Sequence, residues 1–364
     1  MQYWTSYTCK IMIDNWFVKI VLFPFSLIYR LLIEIRNLLY NVGLLKSISF
    51  DIPVISVGNL NTGGSGKTPM IEYLIRYLDP YIEIGVLSRG YKRNTKGYMN
   101  VTLQKTYKDV GDEPLFLKKK YPNTPVAVGE ERALAIPQML QNYDDLQAIL
   151  LDDAFQHRGV TPYVNLLLTD FNLRFTKDYL LPMGRLREPR SQMSRASAII
   201  VTKCPQDLSE KEQELIVKEI NPVGDQKIFF SSLKYHTAYN IADTSQRILL
   251  DGKSVFLLTG IANPLPMIDF IKGKTTAYFH RKFPDHYAYT KHDIATVVDS
   301  YHKMDGHKKV FLTTEKDLIR LEPHFHYFLK HNIDIFALPI EVVFLNRENG
   351  FLEWLKNELM KFRV

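Results

Sequence analysis

An apolar strand pattern at 52–57 (IPVISV) leads into Gly63-Gly64-Ser65-Gly66-Lys67-Thr68, and a helical pattern follows over 67–78. Few folds accept this order. A parallel strand must deliver a glycine-rich loop to the positive end of a helix, where successive backbone N–H groups converge on an anion. The pattern G-x-x-x-x-G-K-[ST] is complete at Gly66-Lys67-Thr68, but Asn61 occupies the first glycine position. Gly63 and Gly64 restore backbone freedom, so Asn61, Thr62, Gly63, Gly64, Ser65, Gly66, Lys67 and Thr68 together can wrap a phosphate. In that arrangement Lys67 neutralises the β- and γ-phosphates and Thr68 holds Mg²⁺. The loop alone implies a nucleoside triphosphate and leaves kinase, ATPase and GTPase open.

The surrounding pattern fits the loop. Short continuous apolar strands at 52–57, 82–88, 125–128, 148–152, 164–169 and 198–202 alternate with helical stretches at 67–78, 113–120 and 130–142. Such strands are covered on both faces, which indicates a doubly wound, mostly parallel α/β sheet of P-loop NTPase type. A second series of strands at 227–232, 254–259, 275–279, 309–313 and 333–338 predicts a second, smaller α/β domain. With 364 residues, two cores are the natural expectation. The boundaries read as 1–45 for an amino-terminal membrane-associated helix, 46–228 for the P-loop domain and 229–345 for the second domain. A carboxy-terminal helix over 346–364 is expected to be able to pack back on the first domain. Cys9 and Cys204 are the only cysteines, which excludes a disulfide framework and a Cys-x-x-Cys metal site.

A second nucleotide signal is Ile149-Leu150-Leu151-Asp152-Asp153. An apolar strand ending in Asp brings a carboxylate to the C-terminal edge of the sheet, beside the phosphate loop. Asp152 and Asp153 would point opposite ways on a strand, so one is the expected Mg²⁺ contact and helix capping is the plainer alternative. A guanine reader of the Asn-Lys-x-Asp type finds only Thr202-Lys203-Cys204-Pro205, which lacks the Asp. ATP is therefore favoured over GTP.

The amino terminus differs from the rest. Residues 1–50 hold ten aromatics and five basic against two acidic residues. The longest uncharged run, Ile20 to Tyr29, has ten residues and contains Pro24, against roughly 20 needed to span a bilayer. Lys19, Ser26, Arg30, Glu34, Asn37 and Asn41 form a narrow polar stripe, and Pro24 suits the first turn of a helix over about 25–41. A helix this apolar is buried against protein or lies in a membrane interface. The aromatics and net positive charge favour a membrane surface. The overall excess of basic over acidic residues, 46 against 39, suits an acidic partner without naming one. No basic run with interleaved aromatics stands out, so nucleic acid is not expected, nor is an obligate protein partner.

Several stretches, in order, closely resemble the tetraacyldisaccharide 4′-kinase family of lipid A biosynthesis. They are Gly58-Asn59 through Pro69, Ser88-Arg89-Gly90-Tyr91, Gly111-Asp112-Glu113-Pro114, and Asp152-Asp153-Ala154-Phe155-Gln156-His157. Leu181-Pro182 through Leu186-Arg187-Glu188-Pro189, Phe283-Pro284-Asp285-His286 and Thr313-Thr314-Glu315-Lys316-Asp317 continue the series. The resemblance implies phosphorylation by ATP, with Mg²⁺, of the 4′-hydroxyl of a tetraacylated glucosamine disaccharide 1-phosphate. It also implies a location on the cytoplasmic face of the inner membrane of a Gram-negative bacterium. The missing first glycine is then a family trait.

The resemblance further implies an Asp–His pair that receives the hydroxyl proton, mapping to Asp112 and His286 beside the catalytic Lys67. An Asp can take the proton while an imidazole orients it or tunes its pKa. On the boundaries above, the two residues come from different domains. By residue type alone, Asp112 could be a helix cap and His286 a surface histidine. Glu113, Gln156 and His157 are candidates for metal or substrate contact. Arg89, Arg132, Arg185 and Arg187 are candidate phosphate clamps, because a guanidinium fork matches phosphate oxygens. A membrane-associated P-loop ATPase or GTPase without a lipid acceptor shares the loop and Asp152-Asp153 but has no need of Asp112 or His286.

Overall fold

The computed structural model describes residues 16–306, 308–345 and 348–362. The expectations for residues 1–15 lie outside these. In chain order the principal elements begin with α1 (Trp16–Asn41), β1 (Val54–Asn59), α2 (Lys67–Leu78), β2 (Ile84–Ser88), α3 (Asp112–Lys120) and α4 (Arg132–Asn142). Next come β3 (Ala148–Asp152), β4 (Val164–Asp170), β5 (Ala198–Thr202), α5 (Glu210–Ile220) and β6 (Lys227–Tyr235). The remainder are β7 (Ser254–Thr259), β8 (Ala277–Lys282), α6 (Lys291–Lys303), β9 (Lys309–Thr314), α7 (Glu315–Leu321), β10 (Ile335–Leu338) and α8 (Glu348–Met360).

The chain forms two compact units. Unit 1 contains Met1–Arg89, Glu131–Ser232 and Val343–Val364; unit 2 contains Gly90–Glu130 and Leu233–Val342. The division therefore differs from the linear one drawn on the sequence, because residues 90–130 fall in unit 2. The carboxy-terminal segment falls in unit 1. A linear cut assumes that each unit is one stretch of chain, whereas the pairing that defines a core is non-local.

In unit 1 the parallel strands run in the order β6–β5–β4–β1–β3–β2. Every residue of β1, β3, β4 and β5 is buried, as expected of strands covered on both faces. Each fully buried Val, Leu or Ile there contributes about 1.5–3 kcal/mol relative to exposure. The register pairs Val57 with Asp152, so the strand that feeds the phosphate loop and the strand that ends in the aspartates finish at the same edge. Chain order reverses at β1, since β3 lies on one side of it and β4 on the other. That switch point is where open α/β sheets bind ligands. Helix α5 starts where Ser209 and Glu212 form a reciprocal capping box.

In unit 2 the parallel strands run β8–β7–β9–β10. The short antiparallel strands Ala238–Asn240 and Arg247–Ile248 extend the sheet beyond β10. Phe256, Phe311, Phe328, Leu258 and Val297 fill one core layer. Segment 90–130 contributes α3, which packs on α7.

Helix α1 differs from the expectation. Pro24 lies inside it, not in its first turn, so the helix loses one backbone hydrogen bond there and continues. By length and composition it is the one described helix able to cross a membrane. The polar stripe divides in two. Ser26 and Asn37 are the buried positions, Arg30 pairs with Glu34 at 2.7 Å in solvent, and Phe25, Ile28, Leu31, Leu32 and Leu38 are exposed. Ser26 Oγ donates to Leu180 O (3.2 Å), and Arg158 donates to Asn37 O (3.0 Å) and Asn41 Oδ1 (2.7 Å). The helix thus meets the rest of unit 1 through Ser26, Asn37 and Asn41, while Arg30, Glu34 and much of its apolar surface face outward.

Candidate active site

The phosphate loop is shaped by backbone that only glycine adopts readily. Gly63 has φ +112° and Gly66 φ +85°, and Gly66 immediately precedes α2. The first N–H groups of α2 have no partner within the helix and carry its positive dipole end, so the loop is polarised for an anion. Asn61 does not act as a glycine substitute. Its Nδ2 donates to Asp178 Oδ2 at 3.0 Å, and Asn61 bridges Leu186. On the other side Thr202 Oγ1 donates to Ser65 O (2.8 Å), and the Lys203 ammonium donates to Gly64 O while pairing with Asp170 (2.8 Å). Thr202 and Lys203 entered the sequence reading only as a failed guanine reader; here they brace the loop.

The two aspartates occupy different environments. Asp152 closes β3, is buried, and accepts from Ser88 Oγ at 3.2 Å. Asp153 lies past the strand in a left-handed turn (φ 48°), so strand alternation is not what separates the pair. It meets Lys67 Nζ at 3.5 Å and Arg187 at 2.9 Å. Burial pushes the Asp153 carboxyl up, but Lys67 and Arg187 outweigh it and hold the group well below the usual carboxylate range. Asn59, at the end of β1, joins these residues. Its side-chain oxygen accepts from Lys67 (3.2 Å) and from Arg187, and its carbonyl accepts from Arg187 (3.1 Å) and Gln156 Nε2 (2.8 Å). Sequence reasoning gave Asn59 no role; its place just before the loop was the signal.

The arginine candidates separate. Arg187 joins the cluster. Arg132 is buried, with Nη2 donating to Asp152 O at 3.1 Å, so it secures the end of β3 from inside. Arg185 receives Thr62 N–H on its carbonyl at 2.7 Å. Arg89 is exposed at the end of β2. His157 is held neutral: burial first, then Arg132 and Arg89, lower its pKa to about 4.

The candidate metal residues Thr68, Asp152 and Asp153 carry oxygen donors, the type that suits Mg²⁺, a hard cation. The anionic state of Asp153 agrees with that fit.

Unit 2 carries the second constellation. Asp112 is the first residue of α3, after Gly111 at φ +91°. His286 sits in the left-handed region at φ 55°, with Nδ1 2.8 Å and 2.9 Å from the two Asp112 oxygens. Both residues lie in unit 2, so the expectation that they come from different domains is corrected by the placement of 90–130. Burial raises the Asp112 pKa, but His286, Lys316 and Arg320 prevail and bring it to about 2. Arg320 is fully buried, with Nε 3.5 Å from Asp112 Oδ2 and Nη2 donating to Gly260 O at 2.9 Å. It also pairs with Asp317, which accepts from Gly260 N–H (3.1 Å), Tyr289 OH (3.2 Å) and Thr314 Oγ1 (2.7 Å). Lys316 Nζ meets Glu113 at 2.8 Å and Asp285 at 3.8 Å. Burial pushes Lys316 down, but Glu113, Asp112 and Asp285 together hold it above its ordinary value. Glu113 is correspondingly lowered by Lys316 against its own burial. Arg320 had no place in the sequence reading; its spacing from Lys316 and Asp317 on one short helix was the signal.

Residues 18–360 match the family described as tetraacyldisaccharide-1-P 4′-kinase. This chain belongs to that family. Relatives named tetraacyldisaccharide 4′-kinase include one from Bacteroides thetaiotaomicron, 40% identical with 93% of each chain covered. Another, from Flavobacterium johnsoniae, is 39% identical over 93% of this chain and 98% of the relative. The fold is also similar to a crystal structure of LpxK from Aquifex aeolicus in complex with ATP. That similarity has a TM-score of 0.70 at 29% identity, covering 94% of this chain and 99% of the other. In this member of the tetraacyldisaccharide 4′-kinase family, the loop, Asn59, Asp153 and Arg187 cluster in unit 1, and Asp112, His286, Lys316 and Arg320 cluster in unit 2.

Proposed function

We propose that this chain transfers the γ-phosphate of ATP to the 4′-hydroxyl of a tetraacylated glucosamine disaccharide 1-phosphate, a step of lipid A biosynthesis. The observation that carries the reading is the Asp112–His286 pair, 2.8 Å apart. Such a pair can take a proton from an alcohol as from water. The match to the tetraacyldisaccharide 4′-kinase family favours a sugar hydroxyl over the water of an ATPase.

Phosphoryl transfer depends on positioning and charge neutralisation. Loop N–H groups and Lys67 would hold the β- and γ-phosphates. Thr68, Asp152 and Asp153 would hold Mg²⁺, which supplies further neutralisation of phosphate charge when bound. Arg187 would stabilise charge that builds in the transition state. The O4′–P bond forms as the bond from Pγ to the β–γ bridging oxygen breaks. The hydroxyl proton passes to the Asp112–His286 pair, and ADP leaves. His286, Lys316 and Arg320 keep Asp112 anionic at neutral pH, the state in which its oxygens can accept.

Helix α1 is the membrane-docking element in this reading. Its polar side is bonded to unit 1 from Ser26 to Asn41, so this stretch lies along the protein surface. Its exposed Ile, Leu and Phe side chains fit the acyl boundary of a bilayer, on the face where cytoplasmic ATP is present. The decisive experiment supplies γ-labelled ATP and lipid A disaccharide 1-phosphate. A labelled lipid product is expected; inorganic phosphate without labelled lipid would refute the kinase reading.

A further inference from the structure

Helix α1 does more than offer an apolar face. Ser26 Oγ donates to Leu180 O (3.2 Å) and accepts from Met183 N–H (3.0 Å). Tyr29 OH donates to Arg187 O at 2.9 Å, and the Arg36 guanidinium pairs with the fully buried Glu188 carboxylate. All of these bonds fall on one segment, residues 178–188.

The opposite side of that segment is bonded to the phosphate loop. Thr62 N–H donates to Arg185 O and Arg187 N–H to Leu60 O, both at 2.7 Å, and Asn61 Nδ2 donates to Asp178 Oδ2 at 3.0 Å. Arg187 is where the two sides meet. Its N–H is held from the loop side, its carbonyl from α1, and its guanidinium reaches Asp153 (2.9 Å) and Asn59 O (3.1 Å). Glu188 is held by Arg36 from α1 and by Arg195, whose Nη1 donates to Phe155 O at 3.0 Å, two residues past Asp153.

We propose that α1 is a positioning element of the nucleotide site: Ser26, Tyr29 and Arg36 clamp residues 178–188 so that Arg187 and the phosphate loop are held in register for ATP. The helix then couples two sites. Anything that moves α1 on unit 1 shifts the backbone of Arg187, and ATP binding resists that shift by the same free energy. The helix that would meet the lipid surface is thereby tied to the loop that meets the nucleotide. The proposal rests on ATP seating at Gly63–Thr68.

The test is the affinity of the full detergent-solubilised chain for a fluorescent ATP analogue, with no lipid acceptor and no membrane. Arg36→Ala and Tyr29→Phe are each expected to weaken binding roughly 5-fold or more, a typical coupling between linked sites. Arg36→Lys should recover part of the loss. The control is Arg30→Gln, which removes an α1 charge that, among the described residues, pairs with Glu34 in solvent and should leave affinity unchanged. Circular dichroism and the thermal midpoint report folding, and Tyr29→Phe removes a single hydroxyl, so loss of affinity with an intact fold supports the clamp. Unchanged affinity in both Arg36→Ala and Tyr29→Phe overturns it. An equal loss in Arg30→Gln also overturns it, since the effect would then be one of net charge. Failure of the loop reading shows separately, as no binding by the unsubstituted chain, and overturns both.

Discussion

His286 Nδ1 lies 2.8 Å from Asp112 Oδ2, with both side chains largely withdrawn from solvent. An ionised carboxylate only accepts hydrogen bonds, so Nδ1 carries the proton in this contact and the ring is fixed in orientation. Asp112→Asn and His286→Ala should each lower kcat by about 100-fold or more, the range of a lost proton acceptor, while KM for ATP stays within a few-fold. Steady-state kinetics with the lipid acceptor check this. An unchanged kcat in either variant removes that residue from the proton step.

Lys67 lies in the phosphate loop with its Nζ 3.5 Å from Asp153. Lys67→Ala should reduce phosphoryl transfer by about 100-fold or more, because an aimed cation is lost from a phosphate site. Asp153 would then keep Arg187 as its main cationic partner and titrate higher. Transfer rates test the first effect, and the pH dependence of Mg²⁺ binding tests the second.

His157 gives a pH signature. Its folded pKa of about 4 lies below the ordinary 6.5, through burial first and then Arg132 and Arg89. Between those values the unfolded chain binds a proton that the folded chain does not, so stability is lost as pH falls from 6.5 toward 4. Denaturant unfolding of His157→Gln should show a shallower decline over that window. An identical slope in both proteins would show that His157 titrates normally.

Gly58 is required by packing. A Cβ there would lie 2.5 Å from Phe155 Cβ and 2.7 Å from Phe155 N, next to the aspartate turn. Gly58→Ala should destabilise by about 1–3 kcal/mol, as overpacking does. A thermal melt measures it, and an unshifted midpoint would mean that the turn relaxes at no cost.

Helix α1 should govern membrane attachment. Ile28 and Leu32 are exposed on α1. The double variant Ile28→Ser, Leu32→Ser should shift the protein from the pellet to the supernatant when sedimented with anionic phospholipid vesicles, since apolar burial drives such docking. Retention in the pellet would assign attachment to another surface.

The loop, the Asp152-Asp153 strand end and the parallel-sheet pattern were legible in the sequence because each is local. A strand, its turn residues and the following helix lie within about twenty positions, and periodicity reports their burial. The polar stripe on α1 was legible for the same reason. Which way it faced was not, because periodicity reveals that a helix has two sides and is silent on which one meets protein. Pro24 was misplaced because its usual position in a first turn is a preference, not a rule.

Motif order in the sequence pointed to the family, marked the glycine-rich loop and singled out Asp112 and His286 as a candidate pair. Tertiary structure alone decided that residues 90–130 join unit 2, bringing Asp112 to His286 and to Arg320 across 208 positions of chain (Asp112 to Arg320). It alone showed that Asn61 bonds Asp178, that Lys203 braces the loop it follows by more than a hundred residues, and that Asp153 lies under two cations. The physical reason is range. Backbone propensity and hydrophobic period act over a few residues and leave a trace in the sequence, whereas an ion pair or a shifted pKa depends on which distant groups share a low-dielectric pocket.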